Sequence, residues 1–310
     1  MVVADPLDPA ALAELSRTYD LVDRPGCSQP ELQTLVQEAE VLVVRSGVQV
    51  TAEIIAAAPR LRVLARAGSG LDNIDLAAAA DAGVTVFNVP GASAGAVAEL
   101  GLGMLMGLMR QIPSADRGMR SGRWQKRALT GREVAGSAIG VVGLGRIGMR
   151  FAELALRLDA RVRATVRRSA PERARELGEQ GIDLVSLEEL LAESDAVCLA
   201  VPLTAETREL VGGAELRLMG GSAYLVNVSR GGVVDERALF DALAAGTIAG
   251  AALDVHQREG GTTPLAQLEN VVLTPHIGAM THEAQQRIGR TVVDFIGRAL
   301  DGRPIPTRLC

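Results

Sequence analysis

Aromatic residues are scarce in this chain: of 310 residues, four are Phe, two Tyr and one Trp. The core therefore has to be built from Ala, Val and Leu, within a hydrophobic fraction of 48%. Cysteine is equally scarce. Cys27, Cys198 and Cys310 are odd in number and far apart, which argues against a disulfide framework or a zinc-type spacing and fits a reducing cytoplasm. Positive charge is not in excess. Thirty-two Lys and Arg against 37 Asp and Glu leave a net charge of −5, which speaks against a nucleic-acid surface. The apolar stretch Val97–Met109 is too short to span a bilayer and reads as a helix buried on several faces, at a subunit contact. The N-terminal MVVADPLDPA has acidic residues and no long apolar segment, so no secretory signal is expected and the chain reads as cytoplasmic.

The length leaves room for two domains. Short strand-like runs alternate with helical patterns from end to end, the mark of an α/β fold with parallel sheets. The expected strands are Val41–Val44, Val63–Ala67, Val84–Asn88, Ile139–Val142, Arg161–Val166, Ile182–Val185, Ala196–Val201, Ala223–Val228, Ala249–Asp254 and Val271–Thr274. Helices are expected over Ala52–Ala58, Ala96–Arg110, Leu187–Glu193, Glu236–Ala245 and His282–Leu300.

The most informative segment is Gly143-Leu-Gly145-Arg146-Ile147-Gly148. It follows a strand and opens a helix with Phe151, Leu154, Ala155 and Leu158 on one face, and another strand comes next. That context is what a dinucleotide site requires. Gly143 permits a tight turn, Gly145 lets a pyrophosphate approach the backbone, and Gly148 lets helix and strand pack closely. The helix N-terminus then offers unpaired N–H groups to the anion. Since ligands of open α/β sheets sit beyond the carboxyl ends of the strands, function is expected just after each strand. Gly68-Ser69-Gly70, Val201-Pro202, Ser229-Arg230, Asp254 and Pro275-His276 all stand there.

Seven segments resemble the D-2-hydroxyacid dehydrogenase family and recur in its order: VRSGVQVTAEII (44–55), RAGSGLDNID (66–75), AVAELGLGMLM (96–106), GVVGLGRIG (140–148), LVNVSRGGVVDERAL (225–239), GAALDV (250–255) and LTPHIGAMTHEAQ (273–285). RQIPSADRGMRSGRWQKRALTG (110–131) is similar to the phosphoglycerate dehydrogenase branch. The resemblance implies two Rossmann-like domains with parallel sheets. A nucleotide domain, 94–279, would be inserted into a discontinuous substrate domain, 1–93 with 280–310, with the active site in the cleft. It also implies a homodimer with the helix near 97–110 at the contact, and a short form without the regulatory domains of longer members, hence without serine feedback.

Reduction of a 2-oxo acid needs a proton donor, a cation at the carboxylate and carbonyl, and a partner that tunes the donor. His276 is the expected acid/base, since histidine suits proton transfer near neutrality. Arg230 is the expected carboxylate-binding fork. Glu259 matches the family's acidic partner of the histidine, although the usual Pro after it is Gly260 here. Ser69 and Gly70 match the loop that holds the substrate carboxylate, with Asp72 and Asn73 stabilising that turn. Arg45, with its neighbour Ser46, Arg66, Lys126 and Arg127 are expected around a substrate phosphate, the last two reaching from another subunit. Asp254 resembles the residue that meets the nicotinamide carboxamide. Further dinucleotide contacts are expected from Val201, Pro202, Thr207, Val228, Ser229, His276 and Gly278. No metal ligand is expected. His282 is expected on the surface, His256 to pack or line the pocket, and Met280, where the family usually has a small residue, to alter the pocket.

An NAD site normally ends its second strand with Asp or Glu on the ribose hydroxyls. Here that position is about Val166, followed by Arg167, Arg168 and Ser169. Cations and a hydroxyl suit a 2′-phosphate, so NADP(H) is expected over NAD(H), as in the NADPH-dependent glyoxylate and hydroxypyruvate reductases. The expected substrate is a small 2-oxo or D-2-hydroxy acid, one bearing phosphate or phosphonate such as 3-phosphohydroxypyruvate, with glyoxylate or hydroxypyruvate as the alternative and reduction as the direction. A dinucleotide-sensing corepressor is the reading from another class.

Overall fold

The computed structural model describes residues 1–168 and 170–310. Ser169, expected at the cofactor, lies outside the described residues. The chain divides into two compact units, Met1–Ser93 with Ala279–Cys310, and Ala94–Gly278. The second crossing thus falls before Ala279, one residue earlier than the expected boundary. Among the described residues no helix is long and apolar enough to cross a membrane.

In the first unit the order is β1 (Val2–Val3), α1 (Pro9–Thr18), β2 (Val22–Asp23), α2 (Gln29–Leu35), β3 (Val41–Val44), α3 (Ala52–Ala56), β4 (Val63–Arg66), α4 (Leu76–Asp81) and β5 (Thr85–Asn88). The second unit runs α5 (Ala94–Met109), α6 (Ile112–Arg120), β6 (Ala138–Val142), α7 (Arg146–Leu156), β7 (Arg161–Thr165), α8 (Pro171–Glu179), β8 (Ile182–Leu184), α9 (Leu187–Glu193) and β9 (Ala196–Leu199). It continues with α10 (Gly213–Met219), β10 (Tyr224–Asn227), α11 (Glu236–Ala244), β11 (Gly250–Leu253) and β12 (Val271–Leu273). Then α12 (His282–Leu300) returns to the first unit.

Both sheets are parallel. The first unit has the order β2-β1-β3-β4-β5, and the second β12-β11-β10-β9-β6-β7-β8. Parallel strands are covered on both faces, so they read as continuous apolar runs rather than alternating ones. In the second unit Ile139 and Val141 of β6 join Val162, Cys198 and Val226 in one core with α5 and α7. Val142 faces the other way, with Val197, Leu199, Leu225 and Leu253 against α9, α10 and α11. In the first unit α12 supplies Ile288, Val292 and Ile296 to the core that holds Val43, Ala65 and Phe87, and Phe87 meets Phe295 edge to face at 5.5 Å. With four Phe, two Tyr and one Trp in the chain, this is the one ring pair among the described residues.

Several elements carry no apolar periodicity, and the sequence pattern does not reveal them. Strands β1 and β2 are two residues each and owe their existence to pairing with β3 and with each other. Helix α1 carries a short apolar stripe, Ala11, Leu12 and Leu15, and a cap: Asp8 accepts from the backbone of Ala10 and Ala11 at 3.1 and 3.2 Å, with Pro9 at the first helical position.

Asp195 ties three strand starts together. Its carboxylate accepts from the Ala138 N–H at 2.8 Å and from Arg132 at 2.6 Å, and its carbonyl accepts from the Tyr224 N–H. Burial pushes the carboxyl's pKa up, but the Ala138 N–H and the Arg132 guanidinium outweigh it, and the group titrates below its ordinary value. The unfolded chain then binds this proton more readily. The stabilisation is full above the ordinary carboxylate range and is lost as pH falls through the folded-state value. Asp195→Asn is expected to cost about 1.5–3 kcal/mol near neutrality, the worth of hydrogen bonds to a charged group. Urea unfolding across the acid range should show the gap to the unsubstituted protein closing, whereas a pH-independent gap would refute the assignment.

Candidate active site

The parallel order of the second sheet reverses at β6, which pairs with β7 on one side and β9 on the other. A crevice at such a reversal is where an open sheet takes its ligand. The glycine turn sits there. Gly143 has φ +93°, and a Cβ on it would lie 2.7–2.8 Å from Val201 and the Ala200 carbonyl, which leave β9. A Cβ on Gly148 would collide with the carbonyl of Gly143, so α7 can start this close to β6 only with glycine. Gly145, by contrast, faces open space. It is the N-cap residue of α7, and no side chain caps that end, so the N–H groups at Arg146 and Ile147 are left for an anion. Donor set, open approach and close packing fit a dinucleotide diphosphate.

Beyond β7, Val166 is half-buried, and Arg167 and Arg168 are exposed. Glu206 lies in the field of Arg167. Its carboxyl is held below the ordinary range first by the Thr204 hydroxyl, then by its own backbone, with Arg167 adding to them. Thr207 closes the same loop, donating from Oγ1 to the Pro202 carbonyl at 2.6 Å and accepting from the Thr204 N–H.

Three more strand ends carry Arg230, Asp254 and His276. After β10, Asn227 is 1% exposed. Its Oδ1 accepts from the N–H and hydroxyl of Ser229 at 3.0 and 2.6 Å, and its Nδ2 donates to the Arg230 carbonyl. This side chain builds the loop that presents Arg230, whose Nη1 donates to the Ser229 carbonyl at 2.8 Å. Sequence reasoning does not single out Asn227; its signal is Asx-turn chemistry, Asn two positions before Ser.

After β11, Asp254 is 2% exposed and accepts three hydrogen bonds: from Thr274 Oγ1 at 2.7 Å, Ile277 N–H at 2.8 Å and Gly278 N–H at 2.9 Å. These bonds wrap the turn around His276, which has φ +55°, an unusual value for a residue with a side chain. The His276 N–H also donates to the Asp254 carbonyl at 2.8 Å. His276 Nδ1 lies 2.7 Å from Glu259 Oε1. An ionised carboxylate only accepts, so Nδ1 carries the hydrogen and Nε2 is left to give or take a proton. The side chains of His276 and Glu259 are 36% and 48% exposed, open enough to meet a substrate.

In the first unit the sheet order reverses at β1 and β3. Asp5, buried after β1, accepts from the Arg45 N–H at 2.6 Å. Arg45 is partly buried, which pushes its pKa below the ordinary value, with Asp5 opposing. Its Nη2 meets Met280 Sδ at 3.7 Å. Ser46 is exposed. Arg66 is 9% exposed and turns back beneath the loop, donating to the Ala67 carbonyl at 3.3 Å under Gly68. Ser69 is exposed and Gly70 half-buried. Asn88 donates to the Ser69 carbonyl at 2.7 Å, and Asn73 donates to the Arg45 and Val48 carbonyls. Lys126 and Arg127, in the second unit, lie on an exposed turn beside Trp124, which is 78% exposed.

Comparison with known proteins agrees with this architecture. The profile of the D-isomer specific 2-hydroxyacid dehydrogenase NAD binding domain matches residues 102–278. The D-3-phosphoglycerate dehydrogenase of Mycobacterium tuberculosis is 41% identical over 307 residues, 99% of this chain but 58% of that protein. The chain therefore spans little more than half the length of several of its curated relatives. The hydroxypyruvate reductase of Thermotoga maritima is 40% identical over 303 residues, covering 96% of this chain and 97% of that one. The crystal structure of the TT0316 protein from Thermus thermophilus superposes with a TM-score of 0.92 at 33% identity, over 100% of this chain and 99% of that one. The chain belongs to the D-2-hydroxyacid dehydrogenase family, with two Rossmann-like domains and the phosphoglycerate dehydrogenases and a hydroxypyruvate reductase among its relatives.

Proposed function

We propose that the chain is a cytoplasmic, homodimeric oxidoreductase that reduces a small 2-oxo acid to the D-2-hydroxy acid, with NADPH preferred to NADH. The observation that carries this is the 2.7 Å contact of His276 with Glu259, at the strand-end row that also holds Arg230 and the glycine turn. When bound, the reduced dinucleotide supplies hydride to the carbonyl carbon. Arg230 binds the substrate carboxylate and draws density from the adjacent carbonyl. Ser69 and Gly70 are assigned to the same carboxylate. His276 gives its Nε2 proton to the nascent alkoxide, and Glu259 stabilises the imidazolium and keeps the ring in register. Asp254, Val201, Pro202, Thr207, Val228, Ser229 and Gly278 are assigned to the dinucleotide, and Arg167 and Arg168 to a 2′-phosphate.

Arg45, with Lys126 and Arg127 reaching from another subunit, supports a substrate bearing phosphate or phosphonate, of the 3-phosphohydroxypyruvate type; Arg66, also expected there, is 9% exposed and turned back under its own loop, and is left out of that assignment. A plain glyoxylate or hydroxypyruvate reductase is the second reading. It is favoured by Met280, whose thioether already covers one edge of the Arg45 guanidinium. The homodimer rests on exposed apolar surface at Met106, Ile112, Met119 and Trp124, on and after α5; a sedimentation mass of one chain would remove it. The deciding experiment is steady-state kinetics with NADPH and NADH against phosphorylated, phosphonylated and plain 2-oxo acids. Turnover of at least one with NADPH is expected, and none with either cofactor would overturn the reading.

A further inference from the structure

His256 stands between the two loops that carry Arg230 and His276. It leaves the carboxyl end of β11, and its Nε2 lies 3.0 Å from the Thr274 carbonyl, which leaves the carboxyl end of β12 two residues before His276. Thr274 is itself bound to Asp254 through its hydroxyl at 2.7 Å. On the other side, the backbone of Gly231 rests on the His256 carbonyl so closely that a Cβ there would collide with it. Gln257, the next residue, donates its N–H to Glu236 at the start of α11. The His256 ring is therefore a side-chain link from the Arg230 loop, through the 256 backbone, to the strand end that delivers His276, beside the one that Asp254 makes.

The tautomer follows from the partner. A carbonyl oxygen only accepts, so Nε2 carries the hydrogen and Nδ1 is the bare nitrogen. That Nδ1 is buried and has no hydrogen-bond partner among the described residues. A buried polar atom left unsatisfied costs free energy, so a plain aromatic ring would fill this space more cheaply. Packing alone does not account for a histidine here; the Nε2–H bond to Thr274 does.

We propose that His256 is a positioning residue for the acid/base His276, holding the end of β12 at a set distance from the Arg230 loop through its bond to the Thr274 carbonyl. This rests on the acid/base role assigned to His276 above. A displacement of about 1 Å at such a site costs up to about a hundredfold in rate.

The test compares His256→Phe with His256→Gln. Phenylalanine keeps the ring and removes both the donor and the bare nitrogen, while the glutamine amide can again donate to Thr274. His256→Phe is expected to melt close to the unsubstituted protein and to lose about tenfold in kcat, with the KM for NADPH nearly unchanged. His256→Gln is expected to recover most of the rate. The imidazole nitrogen resonances of His276 should move in the Phe protein and return in the Gln protein. Unchanged kcat and resonances in His256→Phe, or equal losses in both variants, would overturn the proposal. If the unsubstituted protein reduces no 2-oxo acid, the catalytic reading fails by itself. The His276 resonances then decide alone: moved and restored supports the positioning role, unmoved refutes it.

Discussion

His276→Asn is expected to lower kcat by about 10²–10⁴-fold, the usual worth of a positioned general acid, while the dissociation constant of NADPH stays nearly unchanged. The split follows from the geometry. The imidazole is tied to Glu259 through Nδ1 and meets the dinucleotide region only through the turn it sits on. That turn is held from below by Asp254, which accepts from the Thr274 hydroxyl and from the backbone of Ile277 and Gly278. None of these bonds uses the imidazole, so removing the ring should leave the dinucleotide binding site standing. Asparagine also tolerates the positive φ that His276 adopts, so the backbone is not an added casualty. Stopped-flow reduction with saturating NADPH, alongside fluorescence titration of the cofactor, measures both quantities. An equal loss in binding and rate would mean that His276 is part of the scaffold instead, and a rate within about threefold of the original would remove it from the chemistry.

The combined change Val166→Asp with Arg167→Ser should move the NADPH/NADH ratio of kcat/KM by about 10–100-fold toward NADH, since a charge-assisted hydrogen bond is worth about 1.5–3 kcal/mol. Val166 stands at the end of β7, where a carboxylate would accept from ribose hydroxyls and repel a 2′-phosphate. Arg167 and Arg168 are exposed just beyond it. The effect should fall mostly on KM, because the 2′ position is remote from the reacting carbon. An unchanged ratio would refute the assignment of the arginines to a phosphate.

Much of the fold could be read in advance. The apolar runs at Val41–Val44 and Ala196–Leu199 are strands because a parallel strand buried on both faces has no polar side to show. What stayed hidden were elements without such a run. The two-residue β1 is a strand only because β3 lies beside it, and the two-residue β2 only because it pairs with β1. Helices α6, α8 and α10 likewise follow turns whose capping chemistry is weaker than an apolar stripe. At the site, residue types could be named from the strand ends, but their supports could not. Thr274 acts through a hydrogen bond to Asp254, 20 residues away on the neighbouring strand end, a nearness set by sheet order, whereas the bonds of Asn227 to Ser229 and Arg230 are local.

By itself, the amino-acid sequence determined the class of fold, the glycine turn and the kind of chemistry that histidine, arginine and glutamate could do, because periodicity, missing Cβ atoms and side-chain functional groups are local properties. Only the tertiary structure decided which of these groups meet. Glu259 reaches His276 across 17 residues and Asp254 reaches Gly278 across 24, and it is the parallel pairing of β11 with β12 that brings those chain segments side by side. The tertiary structure also decided that Arg66 folds under its own loop and that Arg45 is met by Met280, from the far end of the chain. A side chain's direction follows from the packing around it, and that packing is made by residues distant in sequence.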